Sequence, residues 1–145
     1  MKCISLMQPW ATLVVRGLKQ YETRRWSTAH RGLLAIHASK KFNFDVQVLC
    51  EQEPFKSLLA MAGYPDRNLL PRGALLGTVE LVDCTPTNLL NPSTEERALG
   101  DFRPGRYAWK LADPQQLERP MAMAGRLGIY EIADGVVVAS IDEFG

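Results

Sequence analysis

The run Gln8-Pro9-Trp10-Ala11-Thr12-Leu13-Val14-Val15-Arg16-Gly17-Leu18-Lys19-Gln20-Tyr21-Glu22-Thr23-Arg24 holds the most unusual chemistry of this chain, and its reading decides the fold around it. Pro9 suits a first helical position, where its missing N–H would have no partner. Gly17 suits the residue just past a helix end, where a positive φ costs glycine nothing. A short helix is therefore predicted from about Pro9 to Arg16. Trp10, Ala11, Leu13, Val14 and Val15 make it apolar nearly all the way round, as in a helix buried by its neighbours. Gln8, Thr12 and Arg16, spaced i, i+4 and i+8, form its polar stripe. Beyond Gly17 and Lys19, residues 21–26 alternate as a strand that puts Glu22, Arg24 and Trp26 on one face. A lysine, a carboxylate, an arginine and an indole thus converge beside one helix end.

The rest of the chain reads as scaffold. With 145 residues, 46% hydrophobic and 23% charged, it has the size and mix of one globular domain, residues 1–145, with a single core. No run approaches the roughly 18 apolar residues of a membrane span, and the apolar stretch before Gln8-Pro9 is too short for a signal peptide, so a cytoplasmic protein is expected. Cys3, Cys50 and Cys84 are odd in number, without Cys-x-x-Cys spacing or a histidine pair nearby. Buried free thiols are the expected reading, with no metal and no cofactor. There is no Gly-rich phosphate loop and no Ser/His/Asp signature.

Net charge is only +1, but its distribution is uneven. Residues 1–41 carry eight basic side chains (Lys2, Arg16, Lys19, Arg24, Arg25, Arg31, Lys40, Lys41) against Glu22 alone, while the remainder is acidic. Clustered Lys and Arg are what a phosphate-facing surface needs.

Along the chain, Cys3 to Met7 and Leu33 to Ala38 read as buried strands. His37 alternates with Leu33 and Ala35, which suits either a hydrogen-bonded core histidine or a group at a sheet rim. Asn43 caps a helix with Asp45 in its first turn, Pro54 interrupts it, and 55–62 continues as a second helical piece. Ala74 to Val82 is the longest strand signal. Its internal carboxylate, Glu80, is expected at a rim beside a cation. Thr85 to Pro104 reads as loop with a helical turn at 93–97, Ser93 capping it and Glu96 completing a capping box. Residues 106–111 alternate as a strand with Trp109 in the core, 127–132 supply a last strand, and 136–141 an edge strand or docked tail.

The segments Ser5 to Ala11, Gly17-Leu18-Lys19-Gln20-Tyr21-Glu22-Thr23-Arg24, Arg31-Gly32, Ile36-His37-Ala38-Ser39-Lys40-Lys41, Gly77 to Cys84 and Gly105 to Leu111 resemble, in order, those of the ASCH (activating signal cointegrator homology) domain. That resemblance implies an α+β, mainly β fold: a PUA-like small β-barrel of roughly five to seven strands with helices packed around it. It also implies a cleft near the Gly17-x-Lys19-x-x-Glu22-x-Arg24 segment that receives RNA, single-stranded DNA or a nucleoside-like small molecule. Gln8, Arg16, Lys19, Glu22, Arg24, Trp26, His37, Lys40 and Lys41 are the binding residues expected on this reading. The cations would meet phosphate, Trp26 would stack a base, and Glu22 would hold Arg24 or Lys19 in place. Some small members of the family hydrolyse acetylated cytidine, using a lysine, a threonine three residues later and a glutamate. Here the position three after Lys19 is Glu22, with Thr23 one residue on, so the hydroxyl is absent where that pattern puts it. An amidohydrolase or ribonuclease using Lys19 with Glu22 or Glu80 is the enzymatic alternative. A protein-interaction role is the third, since the family also occurs within larger coregulators.

Overall fold

The computed structural model describes residues 1–134. Its elements are β1 (Lys2–Leu6), α1 (Trp10–Val15), β2 (Tyr21–Arg24), β3 (Gly32–Ala38), α2 (Phe44–Cys50), α3 (Phe55–Met61), β4 (Ala74–Pro86), α4 (Thr94–Leu99), β5 (Tyr107–Ala122) and β6 (Ile129–Glu131). The strands form one curled sheet, a half-barrel, in the order β2-β5-β4-β3-β1-β6. Six strands fall within the expected five to seven. β1 and β3 run parallel, which requires a crossover, and α1 and β2 lie in the connection between them. The other four pairings are antiparallel. β2 and β6 are the two edges of the sheet, so its order leaves an open seam where a full barrel would close.

The curl comes from β4 and β5. Their register shifts between Leu75 and Gly77, between Thr78 and Glu80, and between Leu81 and Asp83, and such irregularities bend a strand and increase its twist. At Gly77 a Cβ would lie 2.2 Å from the carbonyl oxygen of Gln115, so the close crossing of the two backbones needs glycine. Both strands outrun the sequence reading, β4 to Pro86 and β5 to Ala122. Asp113, at φ 48°, and Pro114 fall in the irregularity between the Glu80–Ala112 and Thr78–Gln115 pairs, where a proline need not donate to the ladder.

α1 fills the curl. Ala11, Val14 and Val15 pack with Ile4 and Leu6 of β1, Leu34 and Ile36 of β3, Leu76, Val79 and Leu81 of β4, and Trp109 of β5. Pro9 and Arg16 flank the helix, and Gly17 follows at φ +74°. The polar stripe is where the helix departs from expectation. Gln8 and Thr12 are 0% and 2% exposed, because they satisfy each other instead of meeting solvent. Gln8 Nε2 donates to Thr12 Oγ1 (2.8 Å) and to the Pro71 carbonyl (2.8 Å), and Gln8 Oε1 accepts from the Thr12 amide (3.1 Å).

Two further readings need correction. Glu80 makes no ion pair among the described residues: β4 is an interior strand, and the carboxylate sits half-buried with an oxygen 4.0 Å from where a Gly32 Cβ would be. Ser93 caps α4 as read, its Oγ accepting from the Glu96 amide (3.1 Å), but Glu96 turns away from the capping box. Its Oε1 accepts from the Gln20 and Tyr21 amides instead, each at 2.9 Å. The expected strand at 136–141 lies outside the described residues.

Candidate functional site

The seam is bridged by a side chain rather than by strand pairing. Arg24, at the end of β2, donates through Nη2 to the Ser5 carbonyl on β1 (3.0 Å) and through Nε to Glu22 Oε2 (3.0 Å). Alternation along β2 puts Glu22 and Arg24 on one face, and the partly buried ion pair fixes both. Glu22 Oε1 also accepts from the Thr23 amide (3.2 Å). A cavity of about 840 Å³ opens here. Polar groups of Ser5, Lys19, Glu22, Arg24, Asp101 and Arg106 line it, with Trp10, Leu49, Phe55 and Leu99 as an apolar wall and Gly125 to Gly128 as a rim.

Lys19 lies deepest. It is 2% exposed, donates from Nζ to the Tyr21 carbonyl, and has no carboxylate within ion-pairing distance among the described residues. Burial holds its amine well below the usual lysine range, against the pull of Glu22 and Glu96 and together with the push of Arg24. The segment carrying it is fixed by α4: Glu96 ties down the Gln20 and Tyr21 amides, Trp10 Nε1 donates to the Leu99 carbonyl (2.9 Å), and a Cβ on Gly100 would stand 3.6 Å from Nζ. Arg106 completes the cationic wall. It reaches the Asp101 carbonyl through Nε (3.1 Å) and the Thr23 carbonyl through Nη2 (3.1 Å), with the Asp101 carboxylate at 3.6 Å. Hydrogen bonds from Arg103, with Arg106 adding to them, hold the Asp101 carboxyl well below the usual carboxylate range.

Of the residues singled out in the sequence, Lys19, Glu22 and Arg24 are brought together in the cavity. The others stand elsewhere. Gln8 is enclosed at the start of α1 as described. His37 is 1% exposed: its Nε2 lies 2.7 Å from the Met123 carbonyl, which can only accept, so Nε2 carries a proton, and its Nδ1 lies 2.9 Å from Ser5 Oγ, itself 2.7 Å from the Tyr130 hydroxyl. Arg16 is exposed and bonds Gln116 Oε1 (2.8 Å) beside a separate, smaller hollow with Met61 and Pro114. Trp26 follows β2, is 39% exposed, and sets its ring edge-on to Trp109 at 4.8 Å, outside the cavity lining. Lys40 and Lys41 are exposed and follow Ser39, which lines the cavity; the Lys40 stem lies over Gly73.

The basic block of residues 1–41 is thereby divided. Lys2 pairs with Glu131, Arg24 with Glu22 and Arg31 with Asp83, while Lys19 is buried. The sequence reading missed Trp10 as a cavity wall, Arg106 and Asp101 as part of the site, Arg126 at its rim and Glu96 as its support. The Arg-x-x-Arg spacing of Arg103 and Arg106 beside Asp101 was the available signal.

The family model for the ASCH domain matches residues 4–121. Activating signal cointegrator 1 of Homo sapiens and that of Mus musculus are each 44% identical to this chain over 82 residues, which is 57% of this chain and 14% of theirs. The chain therefore corresponds to a small part of those relatives. The crystal structure of ASCH from Zymomonas mobilis superposes with a TM-score of 0.54 at 14% identity, covering 99% of this chain and 94% of that one. A likeness at that identity speaks for the fold alone. With the family model spanning most of the described residues, the chain belongs to the ASCH domain family.

Proposed function

We propose that this ASCH domain binds single-stranded nucleic acid, RNA in the first place, with one nucleotide lodged in the seam where Arg24 of β2 meets the Ser5 end of β1, beyond its pairing with β6. The family is PUA-like and associated with RNA binding. The observation that carries the reading is the composition of the cavity: Arg24 and Arg106 along one wall and Arg126 at the rim, facing an apolar side that includes Trp10 and Phe55. Arginine forks grip phosphate oxygens, and an unstacked base gains from an aromatic face, so the two walls suit the two ends of a nucleotide. Arg24 uses Nε and Nη2 on protein acceptors, and its Nη1 has no partner among the described residues. Lys40 and Lys41, just beyond Ser39, extend the cationic path for a neighbouring phosphate.

Fluorescence anisotropy with a short labelled RNA tests this. Affinity should fall with rising salt by about 0.7 log units per log unit for each phosphate contact, and Arg106→Gln should lower both affinity and slope. Absence of binding at low salt to RNA and to single-stranded DNA alike would overturn it. The second reading is hydrolysis of an acylated nucleoside or of RNA, favoured by a buried lysine amine that shares the cavity with the Glu22 carboxylate. Product formation above a boiled control, abolished by Lys19→Ala, would put it first.

A further inference from the structure

Lys19 is a basic group of the seam that phosphate recognition does not use. A lysine that meets phosphate does so as an exposed ammonium with several free donors. Here Nζ is buried in the cavity lining, bonded to the Tyr21 carbonyl, with Gly100 beside it and no carboxylate close enough to pair with among the described residues. Its charged neighbours Glu22, Glu96 and Arg24 act at longer range. Desolvation favours the neutral amine, whose lone pair is a nucleophile.

We propose that Lys19 captures the sugar aldehyde of an abasic nucleotide by forming an imine with it. This rests on the reading of the seam as a nucleic-acid site. Two features of the cavity select the carrier of the aldehyde. The arginines Arg24, Arg106 and Arg126 favour a group flanked by phosphates, and a volume of about 840 Å³ admits a whole nucleotide. A nucleotide that has lost its base equilibrates with an open-chain form bearing an aldehyde at C1′. The Nζ lone pair attacks that carbon, forming the N–C bond, and the carbonyl π pair moves to oxygen and is protonated. The carbinolamine then loses the hydroxyl and the Nζ proton as one water molecule, leaving C=N. Amine plus aldehyde gives imine plus water, with no oxidant or reductant needed, and hydrolysis reverses it. Glu22 lines the same cavity beyond pairing distance of Nζ, so its carboxylate exchanges these protons through an intervening water.

The test uses the full chain with a fluorescent single-stranded DNA oligonucleotide carrying one abasic site, an intact control, and sodium cyanoborohydride to reduce any imine. A covalent protein–DNA band is expected with the abasic strand, mapped by peptide mass spectrometry to Lys19. It should fall at least about tenfold in Lys19→Arg, which keeps a nitrogen-bearing chain without a nucleophilic amine, and in Lys19→Met, which removes the nitrogen. No band, a band mapped to Lys40 or Lys41, or a band undiminished in both variants would overturn the inference. Anisotropy with the intact strand in the same samples separates the two claims: binding without a covalent band overturns only the imine, whereas no binding overturns the nucleic-acid reading with it.

Discussion

Gln8 and Lys19 are both almost completely buried, at 0% and 2% exposure, and they flank the same helix, yet their surroundings are opposite in kind. Around Gln8 the protein meets every polar need: both side-chain atoms are bonded, to Thr12 and to the Pro71 carbonyl, and Gln8 is not among the residues lining the seam cavity. Around the Lys19 amine a backbone carbonyl is the one bonded partner among the described residues, and the space beside it is left for something else. The His37 imidazole is satisfied in the same way, with a partner at each nitrogen, although Ser5, which meets its Nδ1, also borders the cavity. The group of Tyr130, Ser5 and His37 ends on the Met123 carbonyl and ties the strand ends to the Gly73–Met123 pairing. A buried polar network that is fully satisfied fixes a fold, and one that is left open at the end of a cleft has capacity for a ligand.

The comparison breaks first at Gln8. Gln8→Ala should cost about 2–4 kcal/mol, since it leaves the buried Thr12 groups and the half-buried Pro71 carbonyl without partners. Urea unfolding measures it, and RNA affinity per folded molecule should stay as it was. A loss under about 0.5 kcal/mol would mean that water replaces the side chain and the network is not structural.

Glu96→Ala comes next, at about 2 kcal/mol, because two amides lose one charged acceptor. Unlike Gln8→Ala, it should also weaken RNA binding, for the Gln20–Tyr21 backbone that positions Lys19 and Glu22 is released. Equal binding by the folded variant would show that α4 stabilises the seam without organising it.

Lys19→Met should act in the other direction, raising stability by about 1 kcal/mol at neutral pH, since an apolar chain replaces a buried amine that has no ion partner. The sign carries a pH signature. The unfolded lysine keeps its ordinary value of 10.5, whereas the folded one is lowered. Over the interval between them the unfolded state binds more protons, so wild-type stability rises with pH there. The advantage of Lys19→Met should therefore shrink between pH 7 and pH 9.5 in paired urea midpoints. A gap that grows with pH would contradict the assignment.

The smallest effect belongs to Lys40→Ala with Lys41→Ala. Stability should change by no more than about 0.5 kcal/mol, as for exposed positions. The salt slope of RNA binding should flatten by roughly 0.7 to 1.4 if one or both touch phosphate.

What was legible in the sequence follows local rules. Pro9 and Gly17 marked the ends of α1, alternation put Glu22 and Arg24 on one face, and Ser93 announced α4. Long-range contacts were not legible. Nothing near Glu96 says that its carboxylate reaches Gln20 and Tyr21, and nothing near Gln8 says that a polar helical stripe would close on Pro71. Both depend on which element arrives from elsewhere in the chain. The length of β5 was hidden for a similar reason: Pro114 and Asp113 argue against a strand, and only an irregularity in the pairing with β4 lets the strand run through them. The cluster of basic residues in 1–41 misled in another way, because proximity in sequence let Arg16 and Lys2 be counted with Arg24, whereas the sheet carries each to a different partner.

The most direct test of the central claim is a titration of the isotope-labelled protein with a short single-stranded RNA, followed by amide chemical shifts. The account predicts that the largest changes fall on Ser5, Lys19, Glu22 to Arg24, Gly100, Arg106 and Gly125 to Gly128 around the seam, with Gln8 and Thr12 unmoved. Changes confined to the exposed cations Arg25, Lys40 and Lys41, with the seam silent, would contradict it.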